Sequence, residues 1–352
     1  MIWSYELLRI FFMIGVVFTH LAFLVEPGND AISLWIGSAS GKDAVSFFFI
    51  LSGFFMYRSL CKAQPTDYRS GTKQILRKNR TYFIYYLIRV LLVLVYYLIL
   101  YFYSGIRNRT LAEIFSQFFL SLTMINNLLP GFATDVGWFF ESLTVCYFMS
   151  VPLYRLVKKV SKSEFLWLLL PGIAVIYLLV FLVSAGSPIQ EWITYYSPYI
   201  RLLDFLCGMT ISALFLQKPD LLSRKTTATV LELAAIAFVL IEHFYVPYHL
   251  AGGPVPWHLW CYFLVNTAVI FIFAANRGLV SEMTNHMGWI RKLSCHGFAI
   301  YIFHDILLRY STLVPWSPSK YLNLAAVIVV IIIGDNLFKA LLKQRKQEKC
   351  HA

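Results

Sequence analysis

The stretch Glu6-Leu-Leu-Arg9-Ile-Phe-Phe-Met-Ile-Gly-Val-Val-Phe-Thr-His20 lies inside an apolar run from about Leu7 to Val25, long enough to cross a bilayer as a helix. It carries a guanidinium near one end and an imidazole eleven positions later. That separation is just over three helical turns, so both side chains leave on nearly the same face, about 16 Å apart along the axis. An Arg at mid-membrane costs about 2.5–3.5 kcal/mol even on the lenient insertion scale, so Arg9 and His20 are candidates for function. The plainer alternative is an Arg9 that reaches back to the headgroups and a His20 bonded to a neighbouring helix.

The rest of the chain has the same character. Hydrophobic residues make up 59% and charged residues 14%, whereas soluble domains carry about a quarter charged residues. This composition specifies an all-α, polytopic membrane helix bundle. The first apolar run lacks a short basic leader and a small-residue cleavage site, so it is expected to remain as the first helix. Ten apolar runs read as spans: 7–25, 43–61, 81–104, 137–157, 165–184, 198–217, 228–246, 257–275, 296–314 and 321–341. Residues 111–124 are shorter and read as an interfacial or re-entrant helix.

The basic residues give this bundle a direction. Counting loops with the adjoining span ends alternately, 22 Lys and Arg fall on one side and 5 on the other, with Arg9, Arg89 and Arg201 assigned to spans. The positive-inside rule then puts both termini in the cytoplasm, as an even number of spans requires. The net charge of +12 is therefore a topology signal and argues for a lipid bilayer, not nucleic acid, as the partner. Residues 1–343 read as one membrane domain in the cell inner (plasma) membrane, and 344–352 as a cytoplasmic basic tail. Six scattered cysteines, with no C-x-x-C pair, point to free thiols and to no zinc site.

Polar residues inside the spans narrow the search for chemistry. Ser52-Gly53 in an aromatic run permits close helix approach and offers a hydroxyl. Arg80 is the member of a basic helix start that lies nearest the membrane, suited to the phosphates of a soluble donor. Trp138 and Glu141 enter the fourth span together, an indole with a carboxylate about one turn further in. Arg201 and Asp204 form an i,i+3 pair that fits a structural salt bridge at least as well as a catalytic role. Tyr301 and His304 share a face of the ninth span. The remaining histidines, His243 and His296 among them, receive no role.

Taken together, these segments resemble the acyltransferase-3 family of integral membrane O-acyltransferases. Glu6, Arg9 and His20 match its first-helix signature: an acidic residue, Arg three later, then ten residues and His. Phe48-Phe-Ile-Leu-Ser52-Gly53-Phe matches F-F-x-[LI]-S-G-[FY]. Arg80 corresponds to an arginine at the start of helix three, and Trp138 and Tyr147 keep the spacing of W-F/S-L…Y. Arg201…Phe205…Gly208 resembles R-x-x-[ED]-F-x-x-G, and Ile300-Tyr301-Ile-Phe-His304 resembles Y-x-[IV]-Y-L-[FI]-H. There are departures. Ser46 stands where many members carry an acidic residue. Leu143 stands where many carry a carboxylate, with Glu141 two positions away on another helix face. Pro152 comes one residue late.

The resemblance implies transfer of an acyl group, usually acetyl, from cytoplasmic acyl-CoA (acetyl-CoA) to a hydroxyl of a carbohydrate or glycolipid acceptor. It implies no bound cofactor and no metal. His20 is the candidate base, since a neutral imidazole can take the proton of a sugar hydroxyl. Arg9 is placed to hold donor phosphates or polarise the thioester carbonyl. Arg80 would support the phosphate end, and Tyr301 and His304 would shape the acceptor side. The rival from another class is a transporter or flippase using Arg9, His20 and Arg201 as a charged path. That reading calls for an internal repeat, and none is evident.

Overall fold

The computed structural model describes residues 2–24, 41–103, 109–124, 126–131, 136–245, 257–313 and 319–351. The helices in chain order begin with α1 (Trp3–Leu24), α2 (Lys42–Ala63), α3 (Tyr68–Lys78), α4 (Arg80–Phe102), α5 (Leu111–Thr123), α6 (Gly137–Val160) and α7 (Leu166–Ser184). They continue with α8 (Pro198–Gln217), α9 (Lys225–Phe244), α10 (Trp257–Ala274), α11 (Leu279–Asn285), α12 (Gly288–Ser294), α13 (Gly297–Leu313) and α14 (Lys320–His351). No strand occurs among the described residues.

Every expected span is a helix, and eight of these helices are long and apolar enough to cross a membrane. The other two are α13, with 17 residues, and α6, which carries Glu141 and a basic last turn. Both bring polar side chains to the bundle interior, which is why they are less apolar. The basic residues from 344 continue the helix of the last span, since α14 runs on unbroken to His351.

Two helices form the centre. Of the α2 span, 67% is buried, and of the stretch containing α8, 72%; the figure is 22% for α7 and α14, which turn leucines, valines and isoleucines outward as a lipid-facing helix must. A Cβ at Gly53 would sit 1.9 Å from the carbonyl oxygen of Phe205, and one at Gly208 would sit 1.8 Å from that of Ile50. The two glycines thus let α2 and α8 cross backbone to backbone, the use expected of the Ser-Gly step. α8 starts cleanly because Ser197 accepts the Tyr199 N–H at 3.2 Å and Pro198 needs no partner in the first turn.

The peripheral helices are fixed by local chemistry. α2 stops at Gln64, a left-handed residue at φ 45°. α3 is then initiated by a capping box in which Asp67 accepts the Ser70 N–H at 2.7 Å. That hydrogen bond holds the Asp67 carboxyl below its ordinary range. α5 opens on a second capping box, Thr110 with Glu113, and packs on α4, where the Tyr86 hydroxyl oxygen lies 3.0 Å from the Ser121 carbonyl while its proton goes to Glu141 at 2.6 Å. Glu232 of α9 caps α11, accepting the N–H groups of Gly278, Val280 and Ser281 at 2.9–3.1 Å.

Candidate functional site

A cavity of about 440 Å³ opens between α1, α2, α6 and α13, with α3 and α12 at its mouth. Its walls follow helical periodicity. Glu6, Arg9, Ile10 and Met13 come from one face of α1. Phe48, Ser52, Phe55 and Ser59 come from one face of α2, and Phe139, Leu143 and Tyr147 from one face of α6. Lys78 and Arg291 join Arg9 and Glu6 at the basic face of the bundle, while Phe48, Phe139 and Tyr301 form the far end. The rings there pack on one another, Phe139 to Tyr301 at 4.8 Å and Phe48 to Tyr301 at 6.4 Å between centres.

Arg9 is held without being sealed. Its Nη1 reaches both Glu6 oxygens at 3.1 and 3.2 Å, and the Ser294 hydroxyl donates to the same carboxylate at 2.7 Å. The guanidinium lies 5.3 Å from the centre of the Phe55 ring, a favourable cation–π placement. Its side chain is 37% exposed and lines the cavity, and only Nη1 is engaged by Glu6.

His20 lies beyond the far end and is not among the lining residues. It turns into the bundle, where its Nδ1 meets Nε2 of His304 at 2.9 Å. The direction of this bond follows from its surroundings. His304 Nδ1 lies 2.7 Å from the Tyr301 carbonyl and 3.1 Å from that of Ile300. Carbonyls only accept, so His304 carries its proton on Nδ1 and offers a lone pair at Nε2. His20 must then donate from Nδ1, which puts its own lone pair on Nε2. His304, fully buried on α13, thus fixes the tautomer and ring orientation of His20 as an orienting group does for a general base. Both histidines stood out in the sequence, but nothing in it joined two residues so far apart in the chain.

The other candidates fall in different places. Ser52 lines the cavity, but its hydroxyl donates back to the Phe48 carbonyl at 2.7 Å. Tyr301 forms the cavity's inner end. Arg80 is not among the cavity's lining residues: it opens α4 after the break at Asn79 and is exposed. Lys78, which donates to Ser59 at 3.0 Å, and Arg291 supply the cations in its stead. Trp138 is buried behind the cavity wall against Tyr195 and Tyr196, with ring centres at 5.1 and 5.0 Å. Glu141 also faces away from the cavity, accepting the Tyr86 hydroxyl at 2.6 Å, and Leu143 occupies the wall.

Arg201 is locked in the scaffold. Nη1 meets Asp204 at 2.5 Å, Nε donates to the Tyr195 carbonyl at 2.9 Å and Nη2 to that of Thr194 at 3.3 Å. Asp204 accepts the hydroxyls of Ser46 and Tyr177, both at 3.0 Å. The Arg–Asp pair joins α8 to α2, α7 and the turn before α8, and it is outside the cavity.

Two buried histidine pairs had no counterpart in the sequence reading. His243 meets Asp43 at 2.6 Å, with the Asn266 amide donating to the Asp43 carbonyl at 2.9 Å. Gly15 makes room for that imidazole, since a Cβ there would lie 2.6 Å from it. His296 and Tyr85 both bond to Asp335, which Lys339 also contacts at 2.5 Å. The first pair and the Tyr85–Asp335 bond tie helices that are distant in sequence. Among the described residues no three potential ligands gather as a metal site, and the five described cysteines are free thiols.

A family model described as an acyltransferase domain matches residues 2–334. No curated protein and no solved structure matches the chain.

Proposed function

The chain belongs to the acyltransferase-3 family and is an acyltransferase, and from that premise we propose that it moves an acyl group, most often acetyl, from acyl-CoA to a hydroxyl of a cell-envelope carbohydrate or glycoconjugate. On this reading the basic face is cytoplasmic, with both termini, and the membrane is the inner (plasma) membrane. The observation that carries it is the alignment of a cation-rimmed cavity at the basic face with the oriented His20–His304 pair beyond its inner end.

Lys78 and Arg291, with the unused edge of Arg9, offer contacts to the donor's phosphates. The apolar walls at Met13, Phe55 and Phe48 suit a pantetheine arm that runs inward. The acceptor oxygen attacks the thioester carbonyl carbon as His20 Nε2 takes its proton. The C–S bond breaks, and the CoA thiolate recovers that proton from His20. His304 stays neutral and keeps the imidazolium aimed through its Nε2 lone pair. The test is mass spectrometry of surface glycans from cells with and without the gene, paired with CoA release by the purified chain. An extra acetyl group that appears only with the gene is expected. Unchanged glycans with no CoA released would reject acyl transfer to an envelope sugar.

A further inference from the structure

A third arginine within the spans enters neither the cavity nor the scaffold network. Arg89 stands near the middle of α4, about 14 Å from its first residue, and is 3% exposed. Its Nε and Nη2 are buried and make no hydrogen bond among the described residues, nor does any carboxylate among them form an ion pair with it. Glu141, which shares the neighbourhood of Tyr86, is held by the Tyr86 hydroxyl instead. A guanidinium stays charged at any accessible pH, and a buried charge without a counter-ion is strongly unfavourable.

Arg89 lines a small crevice of about 80 Å³ between α4 and α5. The crevice climbs one face of α4 through Val93 to Tyr97, about 12 Å along the axis, away from the basic face. At its upper end is Arg109, exposed and lying over the Tyr97 ring at 4.4 Å. Gln117 and Ser121 of α5 add polar groups, and among the described residues no acidic side chain lines it. α4 also packs against α13, the helix that carries Tyr301 and His304. Crevice and histidine pair are thus carried by two helices in contact.

We infer that this crevice seats an oxyanion, phosphate or carboxylate, carried by the acyl acceptor: Arg109 meets it first and Arg89 holds it beside the histidine pair. The assignment to an acceptor rests on the acyl-transfer reading above; the anion site itself does not. A bilayer headgroup fits the site less well, because Arg89 lies at mid-span.

The test uses the full chain in a non-ionic polyoxyethylene detergent, with saturating CoA to fill the donor cavity. Equilibrium binding of glucose 1-phosphate and glucuronate is compared with that of glucose. At least one acidic sugar should bind about tenfold or more tighter than glucose, as a charge-assisted pair provides. Arg89→Gln should abolish that preference, and Arg109→Gln should reduce it about threefold. Acetyl-CoA affinity, measured separately, should stay within about twofold. If Arg89→Gln does not fold, Arg89→Lys decides: it keeps the charge but loses the fork, and a several-fold loss is expected. Equal binding of all three sugars, a preference that survives these substitutions, or displacement by phosphatidylglycerol but not by the acidic sugars would overturn the assignment. Failure of the wild type to release CoA from acetyl-CoA would count against acyl transfer and not against the anion site.

Discussion

Two spanning helices carry the same device, an arginine three residues from a carboxylate: Glu6 and Arg9 in α1, Arg201 and Asp204 in α8. In sequence they are near equivalents. In the fold they are opposites. Arg201 is sealed, with each guanidinium nitrogen given an acceptor from its own surroundings. Arg9 has one carboxylate, shared with Ser294, and an edge left on a cavity. An intramembrane charge whose donors are all used by neighbours is scaffold; one that keeps donors on an open wall is available to a ligand.

The largest effect should come from breaking the sealed pair. Arg201→Ala leaves Asp204 buried without its cation, at about 3–5 kcal/mol. Folded protein recovered by size exclusion in detergent should fall sharply. Recovery at the wild-type level would erase the distinction between the two arginines. Gly53→Val attacks the same scaffold through its backbone contact with Phe205. Overpacking there should cost about 3 kcal/mol or more, read as a lowered Tm; an unchanged Tm would deny the α2–α8 crossing.

Substitutions at the open pair should spare the fold and lower the activity. Arg9→Ala should keep the wild-type Tm while kcat/KM for acyl-CoA drops about ten- to a hundredfold, the range of one charge-assisted contact. Arg9→Lys should fall between, because a point charge cannot replace a planar fork. A Tm loss like that of Arg201→Ala would make Arg9 scaffold as well. The smallest effect belongs to the cap of α3. Its Asp67 titrates below the ordinary carboxylate range, so its support is present above that range and fades as pH falls through it. Asp67→Ala should slightly fray α3 by hydrogen exchange and leave acyl transfer unchanged. A large loss of transfer would place α3 closer to the chemistry than its exposure suggests.

What was legible in the chain was what depends on near neighbours. The spans follow from apolar run length, the Ser52-Gly53 step from residue size, and the Arg201–Asp204 pair from helical spacing. The partners that cross the bundle were not legible. His243 with Asp43 and Tyr85 with Asp335 come from helices far apart in the chain, His296 with Asp335 from just before one helix and from within the next, and no spacing rule links them. The pairing of His20 with His304 was hidden for the same reason, although each histidine stood out alone. Which cation of the basic helix start lines the cavity was not legible either: Lys78 does, while Arg80, on the far side of the break at Asn79, is exposed. The face that Glu141 takes was legible only relative to Leu143, and its partner Tyr86, from another helix, was not.

The central claim is that His20, oriented by His304, takes the acceptor's proton. The direct measurement is steady-state CoA release by purified full chain carrying His20→Gln, with acyl-CoA affinity determined in parallel. The account predicts a folded protein that binds acyl-CoA within about twofold of wild type and loses roughly a hundredfold or more in kcat. A variant that turns over at the wild-type rate would contradict it.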